Sequence, residues 1–105
     1  KISGHICQGH VDCTSTVNEI KKMGKSYLFD FFLNKKIKKQ IVEKASILIN
    51  GISLTISKVT PKGFQTWIIP HTFRLTNMSK LKRNDLVNIE IDILSKYVKK
   101  YLNEK

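Results

Sequence analysis

Residues 47–56 read Ile-Leu-Ile-Asn-Gly-Ile-Ser-Leu-Thr-Ile, and few dipeptides restrict a chain as Asn50-Gly51 does. Asn and Gly tolerate positive φ at both centres of the tight turn whose twist matches paired strands, so a β-hairpin is expected at this point. In its second arm Ile52, Leu54 and Ile56 fall on one face and Ser53 and Thr55 on the other. A hairpin this apolar on one side needs a core to cover it and further strands to protect its edges.

The rest of the chain supplies them. Residues 14–20 alternate weakly, and residues 25–33 place Tyr27, Phe29, Phe31 and Leu33 on one side with Asp30 on the other. Residues 34–44 change to a helical spacing, with Ile37, Ile41 and Val42 inward, Asn34 as N-cap and lysines outward. A turn at Thr60-Pro61-Lys62-Gly63 leads into a strand over 64–69, closed by Pro70. Residues 86–94 put Val87, Ile89, Ile91 and Ile93 on one face and Asn88, Glu90 and Asp92 on the other. Residues 95–105 carry Tyr97, Val98, Tyr101 and Leu102 on one helical stripe, too short to stand alone. The expected fold is all-β: a six-stranded antiparallel Greek-key barrel with one short internal helix and a C-terminal helix.

Length and composition agree with one barrel. At 105 residues, 41% of them hydrophobic, the chain suits a single core without staples. It divides into a barrel over 1–94 and an oligomerisation helix over 95–105. Apolar runs are broken well short of the ~20 residues that a bilayer span requires. Two cysteines six positions apart make no disulfide framework and no charged-then-apolar leader opens the chain, so a cytoplasmic protein is expected. The first residue is Lys1, which reads as the start of a fragment or processed piece. A net charge of +11 raises the possibility of nucleic acid, but the lysines are scattered and Arg stands only at 74 and 83. Tyr27, Phe29 and Phe31 share a core-facing side instead of making an exposed stacking platform, so neither nucleic acid nor a membrane is expected as partner.

Chemistry-bearing residues cluster in four places. The first, Gly4 to Cys13, holds His5, Cys7, His10 and Cys13, all competent zinc ligands. One short continuous segment can hardly wrap an ion tetrahedrally, so no metal is expected. Nor does a Cys13–His10 nucleophile pair have a visible orienting partner, which leaves the thiols as free, buried groups. The second is the Ser53 and Thr55 hydroxyl ladder, either ordinary strand decoration or a reader of a hydroxyl-rich ligand. The third is Ile68-Ile69-Pro70-His71-Thr72, where a strand stops abruptly and backbone groups are available to an amide edge. Asp92, a surface carboxylate or a polyol binder, is the fourth.

Taken in order, these segments resemble riboflavin synthase, specifically the second of that family's two tandem lumazine-binding barrels. The family's Gly-Gly-His-x-x-x-Gly-His-Val-Asp-Gly opening appears as Ser3-Gly4-His5-Ile6-Cys7-Gln8-Gly9-His10-Val11-Asp12-Cys13. Lys44 stands six positions before Asn50-Gly51-Ile52-Ser53-Leu54-Thr55-Ile56, matching the family's lysine and Asp/Asn-Gly-Ile-Ser-Leu-Thr-Val run. Ile69-Pro70-His71-Thr72, Thr76-Asn77, Val87 through Asp92 and Lys96-Tyr97-Val98 complete the set over nearly the whole chain.

The resemblance implies conversion of two molecules of 6,7-dimethyl-8-ribityllumazine into riboflavin and a ribitylamino-uracil by moving a four-carbon unit, with no metal or redox cofactor. It implies substrate binding by Gly9, His10, Val11, Lys44, Ser53, Leu54, Thr55, Trp67, Ile68, Ile69, Pro70, His71, Thr72 and Asp92, and catalytic roles for His10 and Ser53. Hydroxyls, a lysine and a carboxylate suit a ribityl chain, backbone groups suit a pyrimidinedione edge, and His10 is the available base for acidic methyl protons. Two departures fall in loops, with Cys13 and Ala45 in place of the family's glycines. The larger departure is that the family's first barrel is absent from these residues. In the family each site combines the first barrel of one subunit with the second barrel of its neighbour, and C-terminal helices hold a homotrimer, so this chain would carry half a site. The rival reading is a flavin- or lumazine-binding module without turnover.

Overall fold

The computed structural model of the chain describes residues 11–103. In order they form β1 (Cys13–Met23), β2 (Ser26–Phe32), α1 (Lys35–Lys38), β3 (Ser46–Ile49), β4 (Ile52–Thr55), β5 (Lys58–Val59), β6 (Gly63–Ile68), α2 (Pro70–Leu75), a 3-10 turn (Asn77–Lys80), β7 (Leu86–Ile91) and α3 (Ile93–Asn103). The strands make one antiparallel sheet in the order β4-β3-β7-β1-β2-β6-β5. Its two edge strands, β4 and β5, are consecutive in the chain with only Ile56 and Ser57 between them. Three Cα steps span at most about 11 Å, so the sheet has to curl until its edges approach. Three bonds hold the end of β4 and its link to β6: the Thr66 hydroxyl donates to the Thr55 carbonyl at 2.7 Å, and the Ser57 amide and hydroxyl each donate to the Gln65 carbonyl at 2.9 Å. The result is a curled half-barrel.

Strand β1 makes the corner. Cys13 to Thr16 pair with β7, whereas Val17 to Met23 pair with β2, and the register slips between Val17 and Glu19. Asn18 is the extra residue of a bulge, which bends a strand and increases its twist. The bulge also switches parity, so Cys13 and Val17 face the core before it and Ile20 after it. That switch is why the sequence alternates only weakly here. Inside the curl, Phe29, Phe31, Phe64, Ile47, Ile49, Ile56, Ile68, Ile89 and Ile91 are all buried, with Phe31 and Phe64 stacked at 5.1 Å.

Seven strands replace the expected six, because the two-residue β5 is too short for any periodic signal. Helix α1 is four residues long instead of eleven. Its N-cap is as expected, with the Ile37 amide donating to Asn34 Oδ1 at 2.8 Å. Lysines at 35, 36, 38 and 39 crowd like charge onto this short segment, and Lys35 and Lys36 also oppose the helix dipole at the N-terminal end. Lys44, with φ 75, then turns the chain into β3. Helix α2 is an element that the sequence pattern does not announce: Pro70 ends β6 and at once opens a helix, where its missing N–H costs nothing. Strand β7 stops at Ile91, and α3 begins at Ile93 rather than 95. No helix among the described residues is long and apolar enough to cross a membrane.

Gly63 shows how tightly β2 and β6 are packed. A Cβ there would lie 1.9 Å from the Phe31 carbonyl oxygen and 2.8 Å from the Leu33 amide nitrogen, both backbone atoms with little room to move. Gly63→Ala is expected to cost ~2 kcal/mol or more in urea denaturation, as overpacking does. Gly24→Ala meets no atom within 4 Å and should lose only about 1 kcal/mol from its positive φ. Equal losses at the two positions would contradict the packing described.

Candidate functional site

The hydroxyl ladder lies on the outward face of β4-β3-β7. Register sets Ser53 opposite Leu48 and Leu48 opposite Glu90, so these three form one row across the strands. In the next row Thr55 lies opposite Ser46, and continuing the β3–β7 register by one step puts Asp92 on the other side of Ser46. An outward face in a half-barrel would ordinarily be wet. Here Leu48, Glu90 and Asp92 are only 5–6% exposed, while Ser53 is half-buried. Beside this face lies a cavity of about 220 Å³ lined by Val11, Leu48, Asn50, Gly51, Asn88, Ile89 and Glu90. The hairpin tip that bounds it is anchored, since Asn50 Oδ1 accepts from the Asn88 amide at 2.8 Å and the Asn50 amide donates to the Asn88 carbonyl at 2.9 Å. Asn50 therefore does more than turn the chain: it fixes the tip of the β3–β4 hairpin to β7.

At the opposite, open end of the β3–β4 hairpin lies Lys44, whose amide donates to the Ile56 carbonyl at 2.7 Å and whose side chain is exposed. The Thr66–Thr55 bond brings β6 to the same edge. Trp67, the next residue, points away from the core with 45% exposure, and Ile69 is 57% exposed. Ile68 and Leu54 pack on the core, which limits them to backbone contacts with any ligand on the outer face. The Ile69 carbonyl already accepts from the Phe73 amide at 3.0 Å and the Thr72 carbonyl from the Thr76 hydroxyl at 2.6 Å. Each keeps a second lone pair for an incoming donor. His71 is exposed and Thr72 half-buried on α2. Register and these bonds thus gather Lys44, Ser53, Thr55 and the start of 67–72 at one edge of the sheet. Gly9 and His10 lie outside the described residues, as do His5 and Cys7.

Asp92 has a structural task that the sequence did not reveal. Its Oδ1 accepts from the Leu94 amide at 2.9 Å and its carbonyl from the Lys96 amide at 3.2 Å, which makes it the N-cap of α3. Asp12 was missed altogether. Its Oδ2 accepts from the Ile91 amide at 2.7 Å, its Oδ1 from Lys96 Nζ at 2.6 Å, and its own amide donates to the Ile89 carbonyl at 2.8 Å. Two carboxylates thus hold the junction of β7 and α3. A clue to Asp12 was its place within the Gly-His-Val-Asp segment; Glu90, buried with an interaction of its own, was legible only as polar alternation. Cys13, a free thiol, has its pKa pushed up by burial first and by the neighbouring Asp12 charge second, which keeps it protonated and unreactive near neutral pH. Among the described residues no group of three or more His, Cys, Asp or Glu side chains could hold a metal.

The model of the lumazine binding domain matches residues 8–92. The chain belongs to the lumazine-binding domain family. It is 38% identical over 105 residues to a riboflavin synthase of Actinobacillus pleuropneumoniae, covering 100% of this chain and 49% of that protein. It is 33% identical over 104 residues to one of Bacillus subtilis (strain 168), covering 99% and 48%. The chain thus spans about half the length of these relatives. Among solved structures its fold is similar, with a TM-score of 0.76 in each case, to LumP complexed with 6,7-dimethyl-8-(1'-D-ribityl) lumazine (20% identity, 84% of this chain and 49% of that one) and to LumP complexed with riboflavin (21% identity, 82% and 46%).

Proposed function

We propose that this chain is the second lumazine-binding barrel of a riboflavin synthase, closed in Greek-key fashion, that binds 6,7-dimethyl-8-ribityllumazine and riboflavin. The observation that carries the reading is the pair of polar rows on β4-β3-β7, which meets the Trp67 strand at one edge of the sheet. The ribityl hydroxyls lie along Ser53, Thr55, Asp92 and the Lys44 ammonium. The pyrimidinedione edge bonds the backbone of Trp67 to Ile69 and of Pro70 to Thr72, with Leu54 contributing its backbone and Gly9, His10 and Val11 closing the other side.

In the complete enzyme the first barrel of a neighbouring subunit holds the second lumazine against this one. His10 then removes a proton from the acidic methyl group of one ring, Ser53 holds the reacting ring in place, and juxtaposition supplies much of the rate as a four-carbon unit passes between the rings. This chain alone contributes binding without turnover. We assign it to the cytoplasm, with α3 as the helix that joins three copies. Leu94, Tyr97, Val98 and Leu102 are 48–63% exposed and lie on one face of the helix.

Titration of riboflavin into the folded chain should quench its fluorescence, and Ser53→Ala should weaken binding about fivefold, the worth of one hydrogen bond. Absence of quenching at millimolar ligand, or unchanged affinity in Ser53→Ala, would count against the site. Riboflavin formation at full rate by this chain alone would instead show a complete active site. By light scattering, Val98→Asp together with Leu102→Asp should lower a trimer mass to that of one chain; a wild type already monomeric at high micromolar concentration would refute assembly through α3.

A further inference from the structure

The two halves of the proposed lumazine site stand on strands that share no main-chain ladder. Strand β4 is one edge of the sheet, and β6 lies beside the other edge, β5, whose pairing stops at Gln65. From Thr66 to Ile68, β6 pairs with β2 on one side, and its other side meets the end of β4. In a hairpin closed by two residues the flanking pair, Ile49 and Ile52, exchanges main-chain bonds, and every second pair after it does likewise. The Ile56 amide accordingly donates to the Ala45 carbonyl at 2.9 Å. Thr55, opposite Ser46, falls between bonded pairs, so its carbonyl is turned out of the hairpin. There it accepts the Thr66 hydroxyl at 2.7 Å.

Thr66 is an unexpected residue for its place. It is wholly buried, between Phe64 and Ile68 on the inward face of β6, where an apolar side chain would ordinarily stand. A buried hydroxyl costs stability unless it is bonded, and the partner of this one lies across the seam. The neighbouring contact is different: Ser57 reaches the Gln65 carbonyl through both its amide and its hydroxyl, so the amide remains if the hydroxyl is lost. Thr55 belongs to the hydroxyl ladder, and Trp67 directly follows Thr66. We infer, on the lumazine site proposed above, that Thr66 is a positioning residue: its hydroxyl fixes the separation between the residues that read the ribityl chain and the strand that bonds the ring. A ligand with both parts has to match that separation, whereas a ring alone does not.

The test compares riboflavin with lumiflavin, the same ring system with a methyl group in place of the ribityl chain, on wild type, Thr66→Val, Thr66→Ser and Ser57→Ala. Thr66→Val keeps the shape of the side chain and removes the hydroxyl. It should weaken riboflavin binding about fivefold or more, the lower range of coupling between sites, while lumiflavin binding stays unchanged. Thr66→Ser, which keeps the hydroxyl but loses a buried methyl group, should lower the midpoint of urea unfolding yet restore riboflavin affinity. Ser57→Ala should leave both affinities as in wild type. If Thr66→Val does not fold, Thr66→Cys, with a thiol that is a poorer donor, carries the same comparison. Unchanged riboflavin affinity in a folded Thr66→Val chain, or an equal loss for lumiflavin, would overturn the positioning role while leaving the lumazine site intact, as would equally weak binding by Thr66→Ser or Ser57→Ala. A wild type that binds no riboflavin would overturn the proposed function, and the role of Thr66 with it.

Discussion

Strand β1 pairs with two different neighbours along its length, and the rest of the fold depends on the bulge that lets it do so. With Asn18 out of register, the first part of β1 stays with β7 and the remainder turns to β2. A straight eleven-residue strand would leave β7-β3-β4 and β2-β6-β5 in one open plane, with the phenylalanines of β2 facing solvent. The bend brings the two groups of strands face to face over a single core, and the short link Ile56–Ser57 then joins their outer edges. Val17, at the bulge, is wholly buried and also exchanges backbone bonds with Asn84 and Asp85, so the corner is fixed from the connection before β7 as well.

The curl has a consequence for chemistry. Because the inside is filled with Phe and Ile side chains, the outer face is where a candidate site can lie. Polar residues that alternate with the core side chains therefore become the candidate site, and their spacing follows from strand pairing. Asp12 and Asp92 belong to the same economy of structure. The Asp12 carboxylate accepts from the Ile91 amide at the end of β7 and the Asp92 carboxylate from the Leu94 amide in the first turn of α3, so the residues beside the candidate site also hold the β7–α3 junction.

Much of this was legible in the sequence, and the exceptions have physical causes. The Asn50-Gly51 hairpin, the inward Phe29 and Phe31 and the Asn34 cap each rest on local rules that the structure obeys. The β1 parity switch was hidden because a bulge inverts the pattern that identifies a strand. Helix α2 was missed because proline marks both the end of a strand and the first turn of a helix. The burial of Glu90 and Asp92 on an outward face was invisible to alternation, which separates two faces without saying whether the second is covered. Within the candidate site, Lys44, Ser53, Thr55 and Trp67 were readable by resemblance to a family, whereas the Asp12–Lys96 pair joins residues too distant in sequence for any local rule.

In the proposed reading the ligand lies on the outer face of β4-β3-β7 and the edge of β6. Mapping backbone amide shifts by heteronuclear NMR as 6,7-dimethyl-8-ribityllumazine is added to the chain tests it most directly. Changes are expected to concentrate at Lys44, Ser53 to Thr55, Trp67 to Thr72 and Asp92, with little at Lys22, Lys25 and Arg74, which line a separate cavity beside Tyr27. Changes centred on that basic cavity, with Ser53 and Thr55 silent, would contradict it.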